Sequence, residues 1–140
     1  MLRATLDTNI LIAALVFKSA RPIKILHMGM QGAANLTVSP AILDEMEKVL
    51  VRDFAASAEE VAEARAIVSD AARTVTPAVQ LDVIKEDPPD NRILECAMSA
   101  GADYIVTRDN DFLRRGQYAG IRIVNDVDFL QLARSEGRGR

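Results

Sequence analysis

Asp7, Glu45, Asp90 and Asp109 set the chemistry open to this chain. Each stands at the end of an apolar, strand-like run or near the start of a helix-like one. Three carry short polar signatures: Asp7-Thr8-Asn9, Asp90-Asn91 and Thr107-Arg108-Asp109. In an open α/β fold, such positions converge on one edge of the sheet. Two like charges about 4 Å apart cost roughly 4 kcal/mol at an effective dielectric of 20, so carboxylates gathered there call for a divalent cation. The pattern implies a magnesium- or manganese-type site and, with it, phosphate chemistry.

Each acid has a plainer reading. Asp7 follows a strand and fits the cap of the next helix, yet one cap does not need three polar residues. Glu45 borders the apolar stripe of its helix between Ile42 and Val49, whereas Asp44 and Lys48 point away from it. Glu47 borders the other side, so helical geometry alone does not select Glu45. Asp90 fits an N-cap, and Asp87 is placed to share any ligand role. Of Asp109 and Asp111, one fits the cap of a short helix; Asp109 is the first choice as a ligand and Asp111 an auxiliary. Asp126 and Asp128 read as caps of the last helix. Arg108, Arg114 and Arg115 form a small basic group that suits either a phosphate backbone or solvent.

The elements that must position these acids follow from periodicity and punctuation. Strands are expected at 2–6, 36–38, 73–75, 104–106 and 121–124. Helices are expected at 10–17, from Ile23 to near Gly29 or Gly32, and from Ser39-Pro40 to about Arg52. Others are expected from Ser57 to about Ala72, from Asp90 or Asn91 to Ala100, at 109–115 as a short helix or turn, and at 126–134. Residues 77–89 read as loop, because Pro88-Pro89 blocks a helix. The alternation implies an α/β sandwich with a central parallel sheet of four or five strands in one domain, 1–134, followed by a polar flexible tail, 135–140. The alanine-rich segment 57–72 fits either sheet packing or a dimer contact.

Composition narrows the classes. The chain has 140 residues, 49% of them hydrophobic, and a net charge of −3, so no global basic field draws in nucleic acid. The single cysteine, Cys96, excludes an intrachain disulfide framework and sits among core residues. The single histidine, His27, lies among Ile, Leu and Met, so histidine catalysis has little support. Neither a Gly-x-x-x-x-Gly-Lys loop nor a Gly-x-Gly-x-x-Gly fingerprint occurs. No apolar run reaches membrane-span length, and Arg3 and Asp7 break any signal-peptide layout; a cytoplasmic location is expected.

Taken in order, four segments resemble the PIN-domain family. They are Leu-Asp-Thr-Asn-Ile-Leu at 6–11, Val-Ser-Pro-Ala-Ile-Leu-Asp-Glu at 38–45, Pro-Asp-Asn-Arg-Ile-Leu-Glu-Cys-Ala at 89–97, and Ala-Asp-Tyr-Ile-Val-Thr-Arg-Asp at 102–109. The likeness runs from residue 2 to about 132 and is greatest to stand-alone bacterial toxins of the VapC-like group. The resemblance implies a Rossmann-like α/β/α sandwich and a Mg²⁺- or Mn²⁺-dependent endoribonuclease with one or two ions. It assigns the catalytic acids to Asp7, Glu45, Asp90 and Asp109, with Asp111 as a further metal ligand. Asn9, Ser39, Asn91, Thr107 and Arg108 are the corresponding substrate or auxiliary positions. Arg108 stands where the family often has Gly. The resemblance also implies an RNA substrate, a homodimer and a small antitoxin partner that blocks the site.

Two rival readings are an inactive PIN scaffold and a phosphoacceptor receiver domain. The second lacks its usual lysine, because the strand at 104–106 ends in Thr-Arg-Asp.

Overall fold

The computed structural model describes residues 1–85 and 88–138. Asp87, expected to share a ligand role, lies outside the described residues, as does the end of the polar tail.

Strand β1 (Leu2–Leu6) opens the chain and feeds helix α1 (Thr8–Leu15). The helix starts two residues earlier than periodicity suggests, because Asp7 already has the extended backbone of an N-cap. Helix α2 (Ala20–Met30) follows, with Pro22 in its first turn, where a missing N–H costs nothing. Strand β2 (Ala34–Val38) leads into α3 (Pro40–Phe54), and the Ser39 hydroxyl accepts the Ile42 N–H at 3.2 Å as its cap. Helix α4 (Ala58–Ala71) begins with a reciprocal capping box between Ser57 and Glu60. These hydrogen bonds hold the Glu60 carboxyl below its ordinary range. Strand β3 (Ala72–Thr74) follows directly.

After the loop come α5 (Asp90–Ala100), β4 (Tyr104–Val106) and the short α6 (Asn110–Leu113). Gly101 ends α5 in the left-handed region at φ 67°, as a helix C-terminus favours. The last elements are β5 (Gln117–Tyr118), β6 (Ile121–Val124) and α7 (Asp126–Arg138). Helix α7 runs beyond the expected end at Arg134. Its cap is Asn125, whose Oδ1 accepts the Asp128 N–H at 2.8 Å, so Asp126 and Asp128 are not the capping residues.

The sheet has six strands among the described residues, not four or five, in the order β3-β2-β1-β4-β6-β5. The additional strand is β5, which pairs antiparallel with β6. Ala119 and Gly120, at φ 50° and 83°, form the two-residue turn of that hairpin. All other neighbours are parallel. The chain lays down β1, β2 and β3 in one direction, then crosses to β4 and β6 in the other. With right-handed crossovers, α2 and α5 cover opposite faces. The reversal falls between β1 and β4, where ligands bind beyond the carboxyl ends of such strands.

Core packing is continuous across both faces. Leu6, Leu36 and Ile105 from the strands are buried with Ile10, Ile25, Ile42, Met46, Leu94 and Phe129 from the helices. Gly29 brings α2 close to the end of α4: a Cβ there would stand 2.1 Å from the Ala71 carbonyl oxygen. The alanine-rich α4 packs on α2 and α3 through Ala64, Val68 and Ala71. Cys96 is core, as expected; burial pushes its thiol pKa up, against weaker contacts from Thr5, Thr37 and Ser39.

One face of α5 does a task that the sequence reading missed. Asn91, Glu95 and Ser99, four residues apart, accept backbone N–H groups from the preceding loop. Asn91 Oδ1 takes Val83 and Ile84 (both 2.9 Å), Glu95 Oε2 takes Leu81 (2.7 Å), and Ser99 Oγ takes Ala78 (3.0 Å). Asn91 Nδ2 also donates to the Ile84 and Pro88 carbonyls, both at 2.9 Å. The loop is thus strapped along the helix. Polar residues at every fourth position of α5, at 91, 95 and 99, were the available signal.

Candidate functional site

Strand register places the first acid. Leu6 pairs with Val106, so the next residues on the two strands, Asp7 and Thr107, emerge side by side at the sheet edge. The Asp7 N–H bonds the Val106 carbonyl at 3.0 Å and locks that exit. The Asp7 side chain makes no helix-capping hydrogen bond, which removes the plainer reading of this residue. Its Oδ2 instead accepts from Thr107 Oγ1 at 2.7 Å and from Asn9 Nδ2 at 3.3 Å.

Thr107 is fully buried, and its hydroxyl is saturated. It donates to Asp7 and accepts from Asn9 Nδ2 (3.2 Å) and from the Asp109 N–H (3.0 Å). Asn9 Oδ1 accepts the Arg108 N–H at 3.0 Å, which fixes the orientation of its amide. Asp109 caps α6, with Oδ1 accepting the Asp111 N–H at 3.0 Å. One polar network therefore joins the ends of β1 and β4.

The other two acids arrive on helices. Asp90 is the first residue of α5, with Pro89 in the cap position, so Asp90 is not the N-cap. It is 8% exposed. On α3 the neighbours of Glu45 are drawn elsewhere: Asp44 and Glu47 both face Arg65 of α4, at 3.9 and 3.1 Å. Glu45 turns to the opposite side. The choice that helical spacing left open is made by α4.

Asp7, Glu45, Asp90 and Asp109 line one cavity of about 510 Å³. Thr8, Asn9, Pro89, Arg92 and Arg108 share its wall, and Ile12, Ala13, Phe17, Ile42 and Val49 form an apolar flank. Phe17 also meets Phe54 edge to face, with ring centroids 5.6 Å apart. Both guanidinium groups are anchored to acids outside the lining: Arg92 to Glu95 at 2.8 Å and Arg108 to Asp126 at 2.8 Å. The lining is therefore formally acidic.

Several expected positions lie elsewhere. Asp111 is exposed, pairs with Arg114 and does not line the cavity. Ser39 is spent on capping α3, and Asn91 on strapping the loop. Arg114 and Arg115 are not in the lining, so of the proposed basic group only Arg108 reaches it. His27 is exposed on α2, away from the cavity. Arg92 and the apolar flank were not foreseen; Arg92 stands two residues after Asp90, close enough in sequence to have been suspected.

The donor set is all hard oxygen, the chemistry that magnesium and manganese prefer. Among the described residues, no three His, Cys, Asp or Glu side chains form a ready ligand group.

A family model for the PIN domain matches residues 3–111. No curated protein matches the chain. Among solved structures, VapBC2 from Rickettsia felis, bound to a promoter DNA fragment, superposes with a TM-score of 0.65 at 15% identity, covering 89% of this chain and 98% of that one. DNA-bound VapBC from Salmonella typhimurium gives 0.65 at 20% identity, covering 90% and 99%. VapC20 from Mycobacterium tuberculosis, a toxin that cleaves the sarcin-ricin loop, gives 0.59 at 17% identity, covering 85% and 98%.

Proposed function

This chain belongs to the PIN-domain family, and from that premise we propose that it is a divalent-metal-dependent endoribonuclease. The observation that carries the reading is the single cavity shared by Asp7, Glu45, Asp90 and Asp109 at the sheet's point of reversal. Four carboxylates from two strand ends and two helices thus line one wall, although Asp109 also caps α6. A cavity with so acidic a lining favours a bound cation.

In this reading the four acids hold Mg²⁺ or Mn²⁺, one ion or two, partly through water. When bound, the metal lowers the pKa of a water molecule and polarises the scissile phosphate. The chain's own groups do the rest. Thr107 and Asn9 fix Asp7 by their hydrogen bonds, so that the carboxylate is preorganised rather than recruited. Pro89 and the strapped loop fix the approach to Asp90. The arginines at the cavity wall offer contacts to the strand's phosphates. Water attacks phosphorus and the 3′-oxygen leaves, giving a 5′-phosphate and a 3′-hydroxyl. No histidine is needed.

The similarity in fold to VapC and VapBC proteins supports a toxin role, with a small antitoxin as partner. The apolar flank from Ile12 to Phe17 gives such a partner a place beside the acids. A homodimer and a cytoplasmic setting complete the proposal. Among the described residues, no helix is long and apolar enough to cross a membrane.

The test is cleavage of single-stranded RNA by purified protein. Wild type should cut in Mg²⁺ or Mn²⁺ and stop in EDTA. Asp7→Ala and Asp90→Ala should fold and fail to cut; undiminished cleavage by both refutes the assignment.

A further inference from the structure

Arg108 forms part of the acidic cavity's wall and is paired with an acid outside it. Strands β4 and β6 pair with Val106 opposite Val124. Two residues beyond that pair, Arg108 and Asp126 leave adjacent strand ends at matching positions. Asp126 is 4% exposed at the first turn of α7. Its Oδ2 accepts from Arg108 Nε at 3.3 Å and from Nη2 at 2.8 Å. The Arg108 side chain remains 39% exposed and forms part of the cavity wall.

We propose that Asp126 is a positioning residue, holding Arg108 across the rim of the acidic cavity so that its guanidinium grips a phosphate of the RNA strand. The proposal rests on the ribonuclease reading above and adds to it the device that sets the strand's register. A guanidinium has five N–H donors. Two face Asp126, and the other three remain for an anion. The residue is fixed at both ends, because its backbone N–H bonds Asn9 Oδ1 at 3.0 Å, and Asn9 in turn bonds Asp7. The chain Asp7, Asn9, Arg108, Asp126 therefore ties the phosphate-gripping group to a carboxylate of the reaction centre. Asp126 also solves an electrostatic problem. A flexible arginine beside four carboxylates would fold in among them; a buried counter-charge behind the rim draws it outward. Arginine suits this task better than lysine, because its planar fork can engage Asp126 and a phosphate at once.

The experiment measures binding of a fluorescein-labelled single-stranded RNA oligonucleotide by anisotropy, with Ca²⁺ replacing Mg²⁺, over a range of salt. Cleavage in Mg²⁺ is measured in parallel. Arg108→Ala should weaken binding about tenfold. It should also reduce the slope of log Kd against log salt by about 0.7, the value for one lost single-strand phosphate contact. Asp126→Asn, nearly isosteric, should shift both quantities in the same direction although Arg108 is still present. The double variant should bind no more weakly than Arg108→Ala alone. In cleavage, KM should rise by a similar factor with kcat little changed, which a loss of fold would not produce. Arg108→Lys, which keeps the charge and the backbone bond, should recover the salt slope but not the full affinity.

Wild-type-like binding by Asp126→Asn, or additive effects in the double variant, overturns the proposal while leaving the nuclease reading intact. Arg108-dependent binding by a wild type that never cleaves RNA removes the nuclease reading and leaves the positioning role standing. Absence of any salt-dependent RNA binding overturns the proposal outright.

Discussion

Thr107 shows how much a single hydroxyl carries. It is the one side chain bonded to Asp7, to Asn9 and to the backbone of Asp109, and it has no hydrogen-bonding capacity left over. Valine has the same shape and none of those bonds. Thr107→Val should leave the Asp109 N–H without its acceptor and the Asn9 amide with Asp7 alone, and cost about 2 kcal/mol of stability. Cleavage should fall further than stability alone explains, because Asp7 loses the Thr107 hydrogen bond. Denaturant unfolding and RNA cleavage check the two effects; Thr107→Ser should restore both, and equal activity in the valine variant would remove Thr107 from the site. Asp7 itself was legible in the sequence, since three polar residues between two apolar runs exceed what a cap requires. The Asp126 link to Arg108 was not, because it depends on β4 lying beside β6, and sequence does not give strand order. Asp126 was accordingly read as a cap, a role that Asn125 fills.

The elements explain why distant residues meet. Strands β1 and β4 deliver Asp7 and Thr107 through their register, and strand ends of this kind could be read from short apolar runs stopped by polar residues. Helix α3 was legible from Ser39-Pro40, but the direction of Glu45 was not. At 100° per residue Glu45 and Glu47 flank the same stripe, and only Arg65 on α4 separates them. Strand β5 escaped notice because two residues carry no periodicity, although Ala119-Gly120 before an apolar run marked the hairpin. Asn91 was assigned by the resemblance to the substrate or auxiliary positions, and its loop partners were not visible in the sequence. It makes four hydrogen bonds to the strap. Asn91→Asp replaces two donors by an acceptor facing the Ile84 and Pro88 carbonyls. The variant should lose about 3 kcal/mol of stability, with the loss read by thermal or denaturant unfolding. Hydrogen exchange at Val83 and Ile84 should accelerate in parallel; unchanged protection would contradict the strap.

At the scale of the molecule, the proposed function asks a net-acidic chain of −3 with an acidic cavity to meet a polyanion. Attraction over distance therefore contributes little, and association should depend on the bound cation and on a few local guanidinium groups. The fold supplies the rest by placing the cavity at the reversal between β1 and β4, with apolar Phe17 and Phe54 beside it. The most direct measurement is diffraction from crystals soaked in Mn²⁺, with data collected to locate anomalous scattering. The account predicts a peak inside the cavity bounded by Asp7, Glu45, Asp90 and Asp109, and its loss in Asp7→Asn crystals. A saturating soak that leaves this cavity without a peak, or places manganese only on other surfaces, would contradict it.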